Sequence, residues 1–429
     1  MSTQSQPLPR LGIIISMFPE LHETFILREL VALEQRGVRF DIFSLQYPRD
    51  PITLDDAIRL SSERTHYSSL LSISTLAATF RALLKSPLQL LRAMAKVVWQ
   101  GRDRPVDVLK NLAVLPVSLY IGEQGRRLGI THWHGHWANM PTTSCWYLGQ
   151  IHGDSWSAAI HGEDIFSANR FLPFKLDEAS FTVVCSGHFC NHLQQQLGLR
   201  APEHVHLNYH GLDPRVMQRA ATRTEHREIA NQSLSIVSIG RLVATKGHDV
   251  LIEACARLLS DSVPLHLTII GSGPLDTELR ELVRRKGIEE HVEFTGALAF
   301  ENVLETLENA DVFALAPRLI PGQPPDGIPN VIAEAMALGI PVVTTRVSAI
   351  PELVSDGQTG VLVEVDDSQA MAEALALIHA SPDTALRFST AARERVALLF
   401  DQDANIDELL VLFDRYVSDN FINPALCNA

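Results

Sequence analysis

PDGIPNVIAEAMALGIPVVTT, residues 325–345, is the stretch of sequence that decides the fold. A loop with Asp326 and Gly327 leads into Pro329, which suits the first position of a helix, and the helical stretch ends at Gly339. The apolar run PVVTT follows at once and is typical of a buried parallel strand. Loop, helix and strand in this order predict one unit of an α/β fold.

The same alternation of apolar runs and amphipathic stretches continues in both directions, which predicts βα units and mostly parallel sheets. In the first half we predict strands at 12–17, 38–45, 131–137, 157–161, 182–185 and 204–208, with helices at 24–36, 141–150 and 188–197. In the second half we predict strands at 235–239, 266–270, 292–295, 312–316, 341–345 and 361–363, with helices at 249–259, 276–285, 329–338 and 369–377. Two doubly wound halves imply a ligand cleft at the carboxyl ends of their strands.

A polar stretch without strand patterns, residues 213–233, is predicted to link the two halves. It separates a first domain at 1–212 from a second at 234–395, and helices at 396–429 are expected to cross back to the first domain. A length of 429 residues is sufficient for two such domains.

Composition excludes several classes of protein. The net charge of −14 argues against nucleic-acid binding. Five scattered cysteines without a Cys-x-x-Cys pair favour neither a disulfide framework nor a zinc ribbon, so a reducing, cytoplasmic setting fits best. The first ten residues lack the pattern of a signal peptide, and no uninterrupted apolar stretch reaches the ~18 residues of a membrane span.

One segment departs from this acidic character. Residues 57–128 contain eleven Lys or Arg and four Asp or Glu, whereas the rest of the chain carries a net charge of −21. Within it, residues 72–128 are predicted to form a basic helical insertion, whose cations are Arg81, Lys85, Arg92, Lys96, Arg102, Arg104 and Lys110. This pattern predicts reversible binding to an anionic membrane. The alternative is an ordinary amphipathic helix packed on the first sheet, and Pro87 would kink or break a single helix.

Two cations follow the first strand of the second half. Arg241 and Lys246 lie in SIGRLVATKG, residues 238–247, and cations at the carboxyl end of a strand suit a diphosphate, with charge-assisted bonds of about 1.5–3 kcal/mol each. They could equally be surface residues of a βα turn. GSGP at 271–274 lacks the spacing of a dinucleotide fingerprint, and a Walker-type loop is absent from the sequence, which disfavours NAD enzymes and P-loop kinases.

Two acids mark the opening stretch. Asp326 in the loop and Glu334 in the helix lie eight positions apart. One carboxylate accepts two hydrogen bonds from a vicinal diol, so the pair could hold a sugar and a ribose. The helix start adds free amide N–H groups and a positive dipole end. The alternative is a capping Asp and a solvated Glu on a buried αβ unit.

Histidines mark the first half. His132, His134 and His136 alternate along one strand and therefore share a face, a pattern that could bind a metal. Cys or Asp clusters that would support a metal are absent from this stretch of sequence, so we predict no metal site. His161 ends the next strand and begins the motif HGEDIF, which also contains Asp164. His161 with Asp164 is the better candidate for contact with a sugar.

Taken together, these motifs resemble the retaining family-4 glycosyltransferases of the GT-B fold, and among them the bacterial exopolysaccharide and colanic-acid-type enzymes. The resemblance covers nearly the whole chain and is carried by FPELHETFI (18–26), HGHWANMPTT (134–143), AIHGEDIF (159–166), NYHGLD (208–213), SIGRLVATKG (238–247), IIGSGP (269–274) and DGIPNVIAEAMALGIPVVTT (326–345). It implies an α/β protein of GT-B type, with two Rossmann-like doubly wound domains facing a central cleft. The first would bind the acceptor and the second the nucleotide-sugar.

The resemblance also implies roles for individual residues. Glu334 would hold the donor ribose, His161 would face the sugar at the reaction centre, and Arg241 with Lys246 would neutralise the diphosphate. The transferred sugar would be contacted by Asp326 and by the backbone of Gly327, Ile328, Pro329 and Asn330, and the base would be flanked by Gly296, Ala297 and Leu298. Asp326 is a departure, since the family more often has Glu there.

The implied activity is retaining, metal-independent transfer of a hexose from a UDP- or GDP-linked donor to a saccharide or lipid-linked acceptor, in cell-surface polysaccharide synthesis. No cofactor beyond this substrate and no nucleic-acid partner is expected. The expected location is the cytoplasm, at the inner face of the cell membrane. Other GT-B chemistry, such as a phosphorylase, would need a pyridoxal lysine, for which no lysine has a plausible context. A further alternative is a catalytically inactive nucleotide-sugar-binding scaffold of a polysaccharide assembly complex, against which the intact Arg241, Lys246 and Glu334 argue.

Overall fold

The computed structural model describes residues 10–20, 23–52, 54–69, 72–162, 165, 171–196, 198–199, 202–222, 233–323 and 327–417. The chain divides into two compact units. Unit 1 comprises residues 1–211 and 403–429, and unit 2 comprises residues 212–402. Each unit contains a parallel sheet, so the predicted α/β fold with two doubly wound sheets is confirmed.

The described strands of unit 1 form a seven-stranded parallel sheet in the order β3-β2-β1-β4-β5-β6-β7. Their bounds are β1 (Arg10–Met17), β2 (Arg39–Gln46), β3 (Thr65–Tyr67), β4 (His132–His136), β5 (Ser155–Ile160), β6 (Thr182–Val184) and β7 (Val205–Leu207). The central strands are buried almost throughout because helices cover both faces, which is why their sequences are nearly continuous apolar runs.

Nine described helices of unit 1 lie before residue 200 and are numbered in chain order. They are α1 (Thr24–Gln35), α2 (Asp55–Glu63), α3 (Ile73–Lys85), α4 (Pro87–Gln100), α5 (Pro105–Ala113), α6 (Leu115–Leu128), α7 (Met140–His152), α8 (Leu172–Leu176) and α9 (Gly187–Gln196).

The basic insertion therefore consists of four helices, α3 to α6. Pro87 occupies the first turn of α4, where its missing N–H is harmless, so the single helix considered for this segment is wrong. By length and hydropathy, one stretch of the described residues, Pro105–Leu128, could cross a membrane. Its second half, α6, instead buries Leu115, Val117, Leu119 and Ile121 in the core of unit 1, as a core helix does.

Unit 2 is built on a six-stranded parallel sheet, in the order β10-β9-β8-β11-β12-β13 within the described residues. The strands are β8 (Leu234–Ile239), β9 (Leu265–Ile270), β10 (Val292–Gly296), β11 (Val312–Leu315), β12 (Val342–Thr345) and β13 (Val361–Val363). The helices are α10 (Pro214–Thr222), α11 (His248–Ser260), α12 (Asp276–Lys286), α13 (Phe300–Glu308), α14 (Asn330–Ala337), α15 (Ile350–Leu353), α16 (Ser368–Ala380) and α17 (Pro382–Leu399).

The predicted linker at 213–233 is wrong in its first half, which forms α10. Val216 is buried, and Arg219 bonds Glu301 at 2.9 Å and Glu308 at 2.7 Å on α13. These contacts hold α10 within unit 2 although its sequence is polar. Residues 223–232 of the predicted linker lie outside the described residues.

The last described helix, α18 (Gln402–Tyr416), returns to unit 1. Its buried Leu409 and Phe413 share a core with Leu11 of β1 and with Phe181, which directly precedes β6. We predicted a return from residue 396; the return begins at Asp403, and α17 stays with unit 2.

Candidate functional site

The strand order of unit 2 reverses between β8 and β11. From β8 the chain winds outward to β9 and β10, and after crossing to β11 it winds the opposite way to β12 and β13. The carboxyl ends of strands at such a switch point form the usual ligand crevice of a doubly wound sheet. Arg241 and Lys246 follow β8, and α14 with Glu334 follows β11, so the topology brings three predicted site residues to this edge.

The loop after β8 lies close to the end of β11. Gly247 adopts a left-handed conformation, with φ of +63°, and a Cβ at this position would lie 1.8 Å from the carbonyl oxygen of Ala316. Only glycine permits both the conformation and the close approach. Arg241 is exposed, and Lys246 is half-buried in the short turn Ala244–Lys246, so the loop presents two cations beside the switch point.

Arg318 fixes this loop from the other side of the switch point. Its backbone N–H donates to the Thr245 carbonyl at 3.0 Å, and its Nε donates to the Ala244 carbonyl at 2.9 Å. Its guanidinium also pairs with Asp249 and Asp366, each at 2.8 Å. Arg318 was not among the predicted site residues. A cation three residues after an apolar strand was its signal in the sequence, but its partners are apparent only in the fold.

Helix α14 carries the second predicted acid. Glu334 is 7% exposed, so the alternative of a solvated glutamate is wrong. A buried carboxylate is costly unless it is hydrogen-bonded, which favours a specific role over a surface position. Pro329 directly precedes the helix and does not occupy its first position, because α14 begins at Asn330, one residue later than predicted.

The start of α14 follows Gly327 and Ile328, which are half-buried, and Pro329, which is buried. The amides of Asn330 and Val331 lie in the first turn, where N–H groups lack intrahelical acceptors, whereas the Ile332 N–H donates to the Pro329 carbonyl at 2.9 Å. Asp326, the first acid of the predicted pair, lies outside the described residues.

The end of β10 belongs to the same edge of the sheet. The Gly271 N–H donates to the Gly296 carbonyl at 2.9 Å, and a Cβ at Gly271 would lie 2.0 Å from the carbonyl oxygen of Gly240. The loops after β8, β9 and β10 are therefore in direct contact. Ala297 is exposed and Leu298 is half-buried, so both are accessible at the end of β10.

The positive charge of this edge comes from Arg241 and Lys246 and not from the neighbouring histidine. His248 is buried beneath the loop, with Nδ1 3.3 Å from the Ser238 hydroxyl. Burial, and then the charge of Lys246, lower the pKa of His248 to about 4. His248 is therefore neutral at neutral pH and supports the loop without adding charge.

His161 directly follows β5 in unit 1 and is 5% exposed. Its ring contacts Phe25 at a centroid distance of 4.8 Å and Trp137 at 4.6 Å. Its Nδ1 lies 3.2 Å from Nε2 of His210. Asp164, which we had considered with His161, lies outside the described residues.

The His161–His210 pair is uncharged at neutral pH. Burial, and then the neighbouring His210, hold the pKa of His161 well below its ordinary value, and burial lowers the pKa of His210 to about 4. His161 can therefore act as a neutral hydrogen-bonding group. Sequence analysis missed Phe25 and His210 as neighbours of His161, although both lie in motifs quoted above.

The three alternating histidines of β4 are buried. His132 bonds the hydroxyls of Ser155 and Ser157, and His134 bonds Ser157 at 2.7 Å. His136 lies 3.3 Å from Glu29, and the potential ligand atoms of Glu29, His134 and His136 lie within 4.8 Å of one another. These three residues could therefore hold a metal ion by their spacing. The prediction that the reaction needs no metal is not tested by this geometry and stays a prediction.

Known proteins were compared with this chain by sequence and by structure. Residues 222–395 match the family model described as glycosyl transferases group 1. WcaL of Salmonella typhimurium is described as a putative glycosyltransferase of colanic acid biosynthesis, and it is 38% identical to this chain over 206 residues. The aligned part covers 47% of this chain and 49% of the relative, about half of each. WcaL of Escherichia coli K12 is 29% identical over 94% of this chain and 99% of the relative.

Among solved structures, that of Alr3699/HepE from Anabaena, in complex with UDP, superposes with a TM-score of 0.67 at 18% identity. The superposition covers 95% of this chain and 100% of the other. At this identity the likeness concerns the fold, and the fold is GT-B.

Proposed function

We propose that this chain of GT-B fold, whose residues 222–395 match the model of the group 1 glycosyl transferases, is a glycosyltransferase, and that it is a retaining, metal-independent hexosyltransferase of family 4. One observation carries the proposal: at the switch point of unit 2 the loop with Arg241 and Lys246 lies against Ala316 at the end of β11, and the chain that follows β11 leads into the helix with the buried Glu334. Two cations and one carboxylate at such an edge suit a diphosphate and a ribose.

The donor in this proposal is a UDP- or GDP-linked hexose. Arg241 and Lys246 bind its diphosphate, and Glu334 accepts hydrogen bonds from the ribose hydroxyls. The base lies along Gly296, Ala297 and Leu298, and the hexose contacts Asp326 and the backbone at 327–330. The accessibility of Ala297 and Leu298 and the burial of Glu334 support this arrangement.

The chemistry that follows is electrostatic. As the bond between the anomeric carbon and the phosphate oxygen breaks, its electron pair moves to the nucleoside diphosphate. Arg241, Lys246 and the amides of Ile328 and Asn330 stabilise the charge that grows on this leaving group. The acceptor hydroxyl attacks the same face and passes its proton to the departing phosphate, so the anomeric configuration is retained.

In unit 1, His161 is proposed to act as a neutral hydrogen-bonding group for the sugar. A protonated imidazole beside an oxocarbenium-like sugar would oppose the positive charge that develops there, so the low pKa of His161 suits the proposed position. His210 and Phe25 hold the ring in place.

The relatives support a place in the synthesis of a cell-surface polysaccharide, since both WcaL proteins are named for colanic acid biosynthesis. We propose a saccharide or lipid-linked acceptor and a cytoplasmic location at the inner face of the cell membrane. The basic insertion of unit 1 supports the membrane location.

A ligand screen followed by a transfer assay tests the function. A ligand that binds the folded state raises the melting temperature, so UDP-, GDP- and ADP-linked sugars are compared by thermal shift. The best donor is then incubated with acceptors, with and without EDTA, and the anomeric configuration of the product is read by NMR. We expect a retained configuration and unchanged activity in EDTA.

Two results would contradict the proposal in different ways. Activity that EDTA abolishes and manganese restores would contradict metal independence. A donor that binds but is neither transferred nor hydrolysed would favour the inactive scaffold.

A further inference from the structure

The helical insertion of unit 1 exposes an unusual concentration of large apolar side chains. Of the 21 large hydrophobic side chains exposed in the described part of the chain, eleven lie within 37 residues of sequence. They are Ile73, Leu76, Phe80, Leu83, Leu84, Leu88, Leu91, Val98, Trp99, Val106 and Leu109. Isolated exposed apolar residues are normal, but a contiguous patch marks an interaction surface.

Helix α3 shows that this exposure is directional. Its buried residues are small, namely Thr75, Ala78 and Ala82. Its exposed apolar residues all fall within about 100° of arc on the other side, since a helix turns by about 100° per residue. A helix whose only partner was the protein core would bury its large apolar residues and expose its small ones. Helix α3 does the opposite.

Helix α4 repeats the pattern after Pro87. Leu88, Leu91, Val98 and Trp99 form an outward stripe, with Trp99 68% exposed, while the opposite side packs on unit 1. Helix α5 buries none of its residues and exposes Val106 and Leu109. The alternative raised by the sequence, an ordinary packed amphipathic helix, describes α6 and the inner side of α4, where Leu90 and Val97 are buried. It does not account for the large apolar residues that α3, α4 and α5 expose on their outer side.

Basic residues border these stripes. Arg81 and Lys85 follow one edge of the α3 stripe, and Arg92 and Lys96 follow the corresponding edge on α4. From residue 73 to 113 the chain has seven Lys or Arg and only Asp103 and Asp107 as acids. Some of these cations have protein partners: Arg81 pairs with Glu123, and Lys96 pairs with Glu178.

We propose that the outward face of α3, α4 and α5, the docking face, rests in the headgroup region of an anionic bilayer. This deepens the membrane location proposed above by naming the surface and the chemistry of its partner. Apolar side chains enter the boundary between headgroups and acyl chains, and the bordering cations meet negative headgroups. A second copy of the chain fits less well, because self-association through this face would bring two clusters of cations together.

Vesicle flotation with matched variants tests the docking face. The full-length protein is mixed with vesicles of phosphatidylcholine alone or with phosphatidylglycerol, at low and high salt. The apolar variant is Leu84→Gln/Leu88→Gln/Trp99→Gln, and its control is Leu386→Gln/Leu398→Gln on α17, where both leucines are also exposed. The charge variant is Lys85→Glu/Arg92→Glu, and its control is Arg284→Glu/Arg285→Glu on α12.

We expect the wild-type chain to float with anionic vesicles at low salt and to dissociate as salt screens the headgroup charges. Each docking-face variant should lower the partition coefficient by about tenfold or more, and the controls should match the wild type. Thermal shifts with the best nucleotide-sugar verify that every variant is folded.

Each other outcome rejects a different statement. A wild-type chain that stays in solution with anionic vesicles at low salt rejects the membrane location. Flotation that the docking-face variants leave unchanged rejects this face while keeping the location. A wild-type dimer that the apolar variant dissociates assigns the face to a second copy and also rejects the inference. None of these results bears on glycosyl transfer, which soluble acceptors test separately.

Discussion

The two sheets share a topology but differ in the chemistry at their carboxyl edges. Both are parallel and reverse their winding once, between β1 and β4 in unit 1 and between β8 and β11 in unit 2. The edge in unit 2 has glycines in close backbone contact and two cations, whereas His161 in unit 1 contacts the rings of Phe25 and Trp137 and is itself neutral. A shared fold therefore carries two different kinds of site.

The difference matches what each edge is proposed to bind. A diphosphate needs positive charge and exposed amides, which require loops that approach closely and therefore glycines at 247 and 271. A sugar near an oxocarbenium-like transition state needs hydrogen bonds without positive charge, which buried neutral imidazoles supply. The following predictions test this contrast, from the largest expected effect to the smallest.

The close approach in unit 2 should be the most sensitive feature. Gly247→Ala places a Cβ 1.8 Å from the Ala316 carbonyl oxygen at a left-handed φ, so we expect a loss of roughly 4 kcal/mol in stability or of all donor binding. Gly287→Ala is the matched control, with φ of +69° and no atom near the added Cβ, and should cost only about 1–2 kcal/mol. Urea unfolding and calorimetry with nucleotide measure both. Equal losses in the two variants would contradict the role of Gly247.

Acid should destabilise unit 1 more than unit 2. In unit 1, burial lowers the pKa of His132 to about 3 and the pKa of His210 to about 4. It also lowers the pKa of His134 and His161. Among the described histidines of unit 2, the pKa that burial lowers is that of His248. An unfolded histidine titrates near pH 6.5. Below that pH the unfolded chain takes up protons that the folded chain does not, so stability falls as pH drops from about 6.5 toward 4.

Each such histidine contributes up to about 1.4 kcal/mol per pH unit in this window. Hydrogen exchange at pH 7.5 and 5.5 should therefore show a larger loss of protection, after correction for intrinsic rates, in β4 and β5 than in β8 and β9. Parallel losses in both sheets would show that the buried histidines do not set the acid response.

Removing the buried acid of unit 2 should weaken donor binding without unfolding the chain. Glu334→Gln keeps the size of the side chain but removes the charge to which we assign the two ribose hydroxyls. We expect about 10- to 100-fold weaker affinity, from hydrogen bonds to a charged group of about 1.5–3 kcal/mol. Titration calorimetry with nucleotide measures the change. Unchanged affinity would remove Glu334 from the proposed site.

The cations of the same edge should affect catalysis more than binding. Arg241→Ala and Lys246→Ala should each lower kcat, by about tenfold or more, with a smaller change in KM, because the charge on the diphosphate grows toward the transition state. Arg284→Ala on α12, also exposed in unit 2, is the control and should behave as the wild type. A rise in KM with kcat intact would assign the two residues to ground-state binding only.

The sequence predicted the sheets better than their surroundings. All twelve predicted strands occur within two residues of their predicted ends, because each is an apolar run between polar turns. Strand β3 was missed since its residues, THY, are half-buried and show no apolar pattern. Helix α10 was taken for a linker because its fold depends on ion pairs to α13, which no local pattern reveals.

The candidate site likewise contains residues that the sequence predicted and residues that only the fold reveals. Arg241, Lys246 and Glu334 lie at strand ends or in a patterned helix, so their neighbourhood follows from the order of elements. Arg318 and His210 owe their places to crossings of the chain that bring distant segments together, His210 being 49 positions from His161. Such partners follow from topology and not from spacing in the sequence.

Hydrogen exchange of the full-length chain with and without UDP or GDP tests most directly whether the switch point of unit 2 binds the donor. We expect the nucleotide that binds to protect the amides of residues 241–250 and 328–337, with no protection of residues 281–286 at the C-terminal end of α12, since the contact of that helix with the loop after β8 is at its first turn. Binding that is verified by calorimetry but leaves both segments unprotected would contradict the account.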